Sequence, residues 1–270
     1  MKLSPQLRTA ALYVVLAGAW IWLSDRGLDL LVGSQLELTV LQSLKGALFV
    51  LVTGVLLYWL VGRDLRRMEQ ANRELLDGHE QSLRVLVSAM DIRHQETSDH
   101  SDRVMRMATC LGRLAGVQGE ALRDLTFGAL LHDIGKLGLP DAILIKPGKL
   151  DEQEMAVMRG HTQLGYELLQ RVDFLRNAGE VPYSHHERWD GTGYPQGLRG
   201  EQIPLAARIF SVVDVWDALI TPRVYKSAWP EADVLAYLRA AAGSQLDPQL
   251  VALFLDHYDE VKAAAYARQG

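Results

Sequence analysis

The chain has 270 residues, of which 49% are hydrophobic, 23% charged and 7% aromatic, with a net charge of -5 and a single cysteine, Cys110. That composition excludes wholesale disorder and fibrous or low-complexity classes, and leaves room for one or two domains. One cysteine excludes an internal disulfide framework and a cysteine-based zinc finger, and a pI near 5.9 lacks the basic footprint of a protein that binds a nucleic-acid polymer.

Charge is spread unevenly along the chain. Up to residue 62 only Lys2, Arg8, Asp25, Arg26, Asp29, Glu37 and Lys45 are charged, and all eight histidines follow residue 78. The first predicted element is a helix over about 9–26, built on the uncharged run TAALYVVLAGAWIWLS (Thr9 to Ser24). At 1.5 Å per residue that run reaches about 24 Å, so continuation through Asp25, with Trp20 and Trp22 in the interfacial belt, brings it close to a full bilayer span. A second helix, over about 43–61, carries GALFVLVTGVLLYWLV behind Lys45, whose stem can snorkel. Each run is shorter than the usual ~20 residues, so a pair of buried core helices is the alternative, and Lys2 and Arg8 ahead of an apolar run also fit a cleaved signal peptide. No small-x-small cleavage site follows Trp22 and a second span comes soon after, which favours a two-helix transmembrane hairpin over residues 1–62. Lys2 and Arg8 before the first span, with Arg63, Arg66 and Arg67 after the second, put both termini on the cytoplasmic side of the lipid bilayer.

The pattern AWIWLSDRGL followed by LKGALFVLVTGVLLYWLV resembles a two-helix N-terminal module that recurs in bacterial signalling proteins. The resemblance adds a bacterial signalling context and names no ligand; with the two spans, a multi-pass protein of the bacterial inner membrane is expected. Residues 63–87 then form a helical connector free of proline. Its Leu65, Met68, Asn72, Leu75 and His79 follow the three–four spacing of a coiled-coil seam, and Asp77-Gly78 is expected to weaken its middle. A solvated connecting helix and a parallel homodimer seam are both open readings.

From residue 88 onward apolar residues recur at helical spacing and alternating strand patterns are scarce, so an all-α domain over 88–270 is expected. Five histidines fall in short polar motifs with acids. Glu96 and His100 are four apart, His132-Asp133 sits in LLHDIGKLGLP, His161 opens HTQLGYELL, and His185-His186 opens HHERWDGTGYP. Asp214 and Asp217 lie three apart in the apolar helix IFSVVDVWDALI. Singly, each is read more simply as a hydrogen-bonded structural residue. Together they cannot be buried without a shared countercharge, which bound metal ions provide. Mixed imidazole and carboxylate ligands suit Fe, Mn, Co, Ni or Zn better than Ca or Mg. On a helix, the neighbours His132 and Asp133 diverge by about 100°, and an aspartate bridging two metals roughly 3.5–4 Å apart is an arrangement for phosphoester hydrolysis.

HDIGK (132–136) and HHERWDGTGYP (185–195), with HSDRV, LIKPGKL, HTQLG, DVWDAL and GSQLDPQLV in order around them, resemble the HD-GYP family, a branch of the HD metal-dependent phosphohydrolases. The resemblance covers roughly residues 88–265. It implies an all-helical HD-type metallohydrolase domain that hydrolyses cyclic di-GMP to pGpG or GMP by attack of a metal-bridging hydroxide on phosphorus. Carried onto matching positions it implies His100, His132, Asp133, His161, His185, His186 and Asp214 as metal ligands, with Asp133 bridging. Glu96 would serve a third metal, so two or three divalent ions, Fe or Mn, are implied as cofactors. Lys136 would orient the nucleophile or stabilise charge on phosphate. Gly193, Tyr194 and Pro195 would form a loop at the substrate that can also meet a GGDEF-type cyclase. Arg223 and Lys226 would contact phosphate, although TPRVYKSA departs from the family's usual DRPY-like segment there. Two alternatives stand beside this reading: a sensor or docking module that does not hydrolyse, and a hydrolase of another cyclic dinucleotide such as cyclic GMP-AMP.

Overall fold

The computed structural model describes residues 5–31, 35–94, 99–222 and 227–267, which are helical with no named strand among the described residues. The chain divides into two compact units, Met1–His79 and Glu80–Gly270.

Helix α1 (Pro5–Leu31) and most of α2 (Gln35–His94) make the first unit. Both carry a stretch long and apolar enough to cross a membrane, Leu7–Gly27 and a window within Val40–Met90. Their apolar side chains point outward, with Val14 67%, Val50 68% and Tyr58 84% exposed. Trp20 and Phe49 bring the two helices together with ring centroids 6.4 Å apart, and Lys45 pairs with Asp25. Helix α2 runs without a break through the second apolar stretch and the whole connector. The expected weak point at Asp77-Gly78 leaves no interruption, because one glycine costs about 1 kcal/mol against a long run of Leu, Glu, Gln and Arg.

The second unit begins with the end of α2, whose Val87 and Met90 are buried in its core. It continues through α3 (His100–Leu114), α4 (Gly119–Leu130), α5 (Asp141–Leu144), α6 (Glu152–Arg159), α7 (His161–Gln170) and α8 (Glu180–Ser184), then α9 (Leu205–Ile220), α10 (Glu231–Ala241), α11 (Pro248–Asp256) and α12 (Tyr258–Tyr266). Helix α3 presents Val104, Met107, Ala108 and Leu111 on one stripe, all fully buried, and packs there against α4, α9 and α12. Helix α9 is apolar nearly all round, with Phe210, Val213 and Trp216 wholly enclosed, so it forms the centre of the unit. Asp247 fixes the start of α11 by accepting from the N–H groups of Gln249 and Leu250, ahead of Pro248, and is held in turn by Arg208 at 2.6 Å. This frame leaves several helix ends pointing at one place, and those ends carry the histidines.

Candidate metal centre

His100 is the first residue of α3, and His161 is the first of α7. His185 and His186 directly follow α8, and Asp214 lies on α9. His132 and Asp133 stand in a tight turn between α4 and the 3-10 turn Ile134–Gly138, so the expectation that they are neighbours on a regular helix is not met. The reason is Gly135. A Cβ there would sit 1.9 Å from the carbonyl oxygen of His161, so glycine alone lets this turn press against α7.

The fold collects these residues into two groups. One ligand atom from each of His100, His132 and Asp214 lies within 4.8 Å of the others, and the same holds for His161, His185 and His186. Asp133 lies between the groups. Its Oδ2 is 3.1 Å from His132 Nε2 and its Oδ1 is 3.4 Å from His161 Nε2, so one carboxylate faces both clusters. All but His186 and Asp214 are buried.

Each of four imidazoles is oriented from behind. His132 donates Nδ1–H to the carbonyl of Ala129 at 2.9 Å, His161 to that of Met158 at 2.8 Å, and His185 to that of Pro182 at 3.0 Å. A carbonyl can only accept, so these partners assign a proton to Nδ1 and leave Nε2 as the lone pair of the neutral ring. His100 Nδ1 meets Asp217 Oδ2 at 2.7 Å, and Arg103 grips the same carboxylate through Nε at 2.8 Å and Nη2 at 3.0 Å. Nε2 of His161 and of His185 are buried without a hydrogen bond. Buried acceptors converging without a donor are costly, and a divalent cation relieves both that cost and the mutual repulsion. The donor set therefore fits two cations: His100, His132 and Asp214 could hold one, His161, His185 and His186 the other, and Asp133 both.

Electrostatics agree with that arrangement. Burial acts to raise the Asp133 carboxyl, yet Lys136, His132 and His161 hold it well below the usual carboxylate range. His132 is the exception: burial alone would lower it, but Asp133 lifts it to about 9, so its Nε2 holds a proton toward Asp133 that a cation would have to displace. Burial pushes His161 down, His185 far down and His186 to about 3, the last two helped by neighbouring imidazoles, so these three present neutral rings. Burial raises Asp214 against the pull of His100. The Asp217 carboxyl, despite burial, is brought to about 2 by its bonds to His100 and Arg103.

The remaining expected residues divide. Lys136 Nζ lies 2.6 Å from Asp133 Oδ2, so it balances the shared carboxylate. The Tyr194 ring stacks on His186 with centroids 4.7 Å apart, and burial pushes its phenol up to about 12. Gly193 is obligatory, since a Cβ would meet the Arg188 nitrogen at 2.4 Å, and Pro195 is exposed beyond it. Glu96, Arg223 and Lys226 lie outside the described residues. Sequence reasoning assigned no role to Asp217, Arg103, Glu187 or Arg159. Asp217 had a signal in its spacing from Asp214. Glu187, buried, accepts from the backbone N–H of Gln196, Gly197 and Leu198 and so closes the 193–198 loop, and its place directly after two histidines was its only signal.

The HD domain family profile matches residues 84–250 of the chain. Among curated proteins the chain is 42% identical over 188 residues to the cyclic di-GMP phosphodiesterase response regulator RpfG of Xanthomonas campestris, covering 69% of this chain and 50% of that protein. It is 41% identical over 177 residues to 3'3'-cGAMP-specific phosphodiesterase 2 of Vibrio cholerae, covering 65% and 34%. It is 35% identical over 181 residues to a cyclic di-GMP phosphodiesterase of Thermotoga maritima, covering 66% and 49%. The match spans half or less of each of these relatives. The crystal structure of a cyclic GMP-AMP specific phosphodiesterase of Vibrio cholerae superposes with a TM-score of 0.55 at 19% identity, over 68% of this chain and 50% of that one, a likeness of fold.

Proposed function

Because the chain belongs to the HD domain family, we propose that it is a metal-dependent phosphodiesterase of the HD-GYP branch that hydrolyses cyclic di-GMP to pGpG or GMP. The observation that carries this reading is Asp133, one carboxylate facing two clusters of converging ligand atoms, in one of which His161 and His185 have buried, unpartnered Nε2 atoms. Two Fe or Mn ions held there would supply a water made nucleophilic near neutral pH and positive charge at the phosphoryl oxygens, with a third ion allowed by Glu96. The chain's own residues do the rest. Asp217 and Arg103 hold His100 in its ligating tautomer, and the Ala129, Met158 and Pro182 carbonyls do so for three more imidazoles. Lys136 keeps Asp133 ionised and places a cation beside the reacting phosphate. Glu187 holds the Gly193-Tyr194-Pro195 loop beside His186.

Two exposed apolar helices support anchoring in the bacterial inner membrane, and the outward-facing Leu65, Met68 and Leu75 support a homodimer seam along α2. The 193–195 loop is the surface on which a GGDEF-type cyclase would dock.

A second reading, hydrolysis of cyclic GMP-AMP, is favoured by the 41% identity to a relative so named. The complete set of ligands speaks against a docking module without turnover. The test is the full chain in lipid nanodiscs, loaded with Fe(II) or Mn(II) without oxygen, given cyclic di-GMP or cyclic GMP-AMP at equal concentration, with products resolved by chromatography. The proposal expects pGpG or GMP from cyclic di-GMP and none from a His132→Ala, Asp133→Ala variant. Turnover surviving that double substitution would overturn it, and faster turnover of cyclic GMP-AMP would move the assignment to the second reading.

A further inference from the structure

A cyclic dinucleotide carries two phosphodiesters, and only one of them can lie at the metal centre. The other is an anion that needs a cation held a short way off. Arg159, the last residue of α6 and two before His161, places its guanidinium 5.0 Å from the centroid of the Tyr194 ring, the same ring that stacks on His186. Arg159 is exposed, and among the described residues no carboxylate pairs with it. Among the described residues, two further cations of the site motifs are engaged. Lys136 is on Asp133, and Arg188 is bonded to Thr192 and Asp190. A guanidinium lying on an aromatic face keeps its N–H edge free, and that planar fork suits a phosphate better than an ammonium does.

We propose that Arg159 binds the second, non-scissile phosphodiester of the cyclic dinucleotide, held in place by Tyr194. This rests on the function proposed above and adds to it a residue that fits the substrate by having two phosphates. Among the described residues the Arg159 side chain makes no hydrogen bond or ion pair with a candidate metal ligand, so its removal should spare the metal centre.

The experiment compares the wild-type full chain with Arg159→Ala and Arg159→Lys on two diesters, cyclic di-GMP and bis(p-nitrophenyl) phosphate, the latter having a single phosphate. Equilibrium binding of cyclic di-GMP to the chelator-treated chain gives a readout apart from turnover. In Arg159→Ala, KM and Kd for cyclic di-GMP should rise about tenfold or more, the loss of one charge-assisted contact, with kcat within about twofold. Its kcat/KM for bis(p-nitrophenyl) phosphate should be unchanged, and Arg159→Lys should recover part of the affinity. Equal losses on both diesters would show that Arg159 acts only by steadying Tyr194 and the metal centre, and would overturn the proposal. An unchanged Kd would overturn it as well. A wild-type chain that neither binds nor cleaves the dinucleotide would refute the proposed function before any variant is compared, and this inference with it.

Discussion

Asp217→Asn tests the argument that the metal centre depends on a carboxylate that faces away from it. The substitution keeps the shape and removes the charge. In place of three short bonds, to His100 Nδ1 at 2.7 Å and to Arg103 at 2.8 and 3.0 Å, the amide can accept on one side and presents N–H groups on the other. Bringing the Asp217 carboxyl from the usual 3.8 to about 2 corresponds to roughly 2–3 kcal/mol of stabilisation. Removing one member of a buried ion pair costs about 3–5 kcal/mol. The two estimates describe the same interaction, so a loss of about 3 kcal/mol is expected, which lowers the melting temperature of a unit of this size by roughly 6–12 °C. The sign with pH is definite. The folded pKa lies below the unfolded one, so the stabilisation is complete above about pH 4 and is lost as pH falls toward 2 in the wild type, and the variant should show no such component. His100 would also lose the partner that sets its tautomer, so affinity for Mn(II) should fall about 10- to 100-fold. The assay is thermal unfolding of the full chain between pH 2 and 7, with metal titration at pH 7. A variant with wild-type melting temperature and wild-type metal affinity would refute the reasoning.

Gly135→Ala should be the most damaging small substitution, because its Cβ would fall 1.9 Å from the His161 carbonyl oxygen and backbone cannot yield as a side chain can. A melting curve should show a loss of at least about 1–3 kcal/mol together with lost metal binding, and wild-type behaviour would disprove the close approach. Glu187→Gln should loosen the 193–198 loop by weakening three backbone contacts while sparing the ligands. Limited proteolysis should cut that loop faster and KM should rise with metal content unchanged; a loop as resistant as before would count against Glu187's role. Stripping metal with a chelator leaves the converging Nε2 atoms of His161 and His185 unrelieved. Reloading at a hundred times the dissociation constant should restore about 2.7 kcal/mol, read as a rise in melting temperature, and a temperature indifferent to metal would contradict the site.

Much of the fold and site was legible in residue order. The helical spacing of α3 and α9, the apolar runs within α1 and α2, and the ordered polar motifs all depend on neighbours a few residues apart, and the structure places those motifs together. What was misread depended on distant contacts. The His132-Asp133 pair looked helical because α4 leads into it, but the press of Gly135 on α7 turns the chain first. Asp217 could be seen as an acid in an apolar helix, but nothing nearby in sequence showed that it serves His100.

The four oriented histidines show where local and distant information part. His132, His161 and His185 each bond the carbonyl three residues back, at Ala129, Met158 and Pro182, a local turn that the chain forms wherever it lies. Residue type and short-range geometry were thus enough to turn Nε2 of each ring away from its own turn. His100 takes its orientation from Asp217, 117 residues away, and Asp133 comes to face both clusters because α3, α7, α8 and α9 close on one core. Those placements come from burying the apolar stripes of separate helices against each other, which overcomes the entropy of closing long loops and exists only once the whole unit is folded.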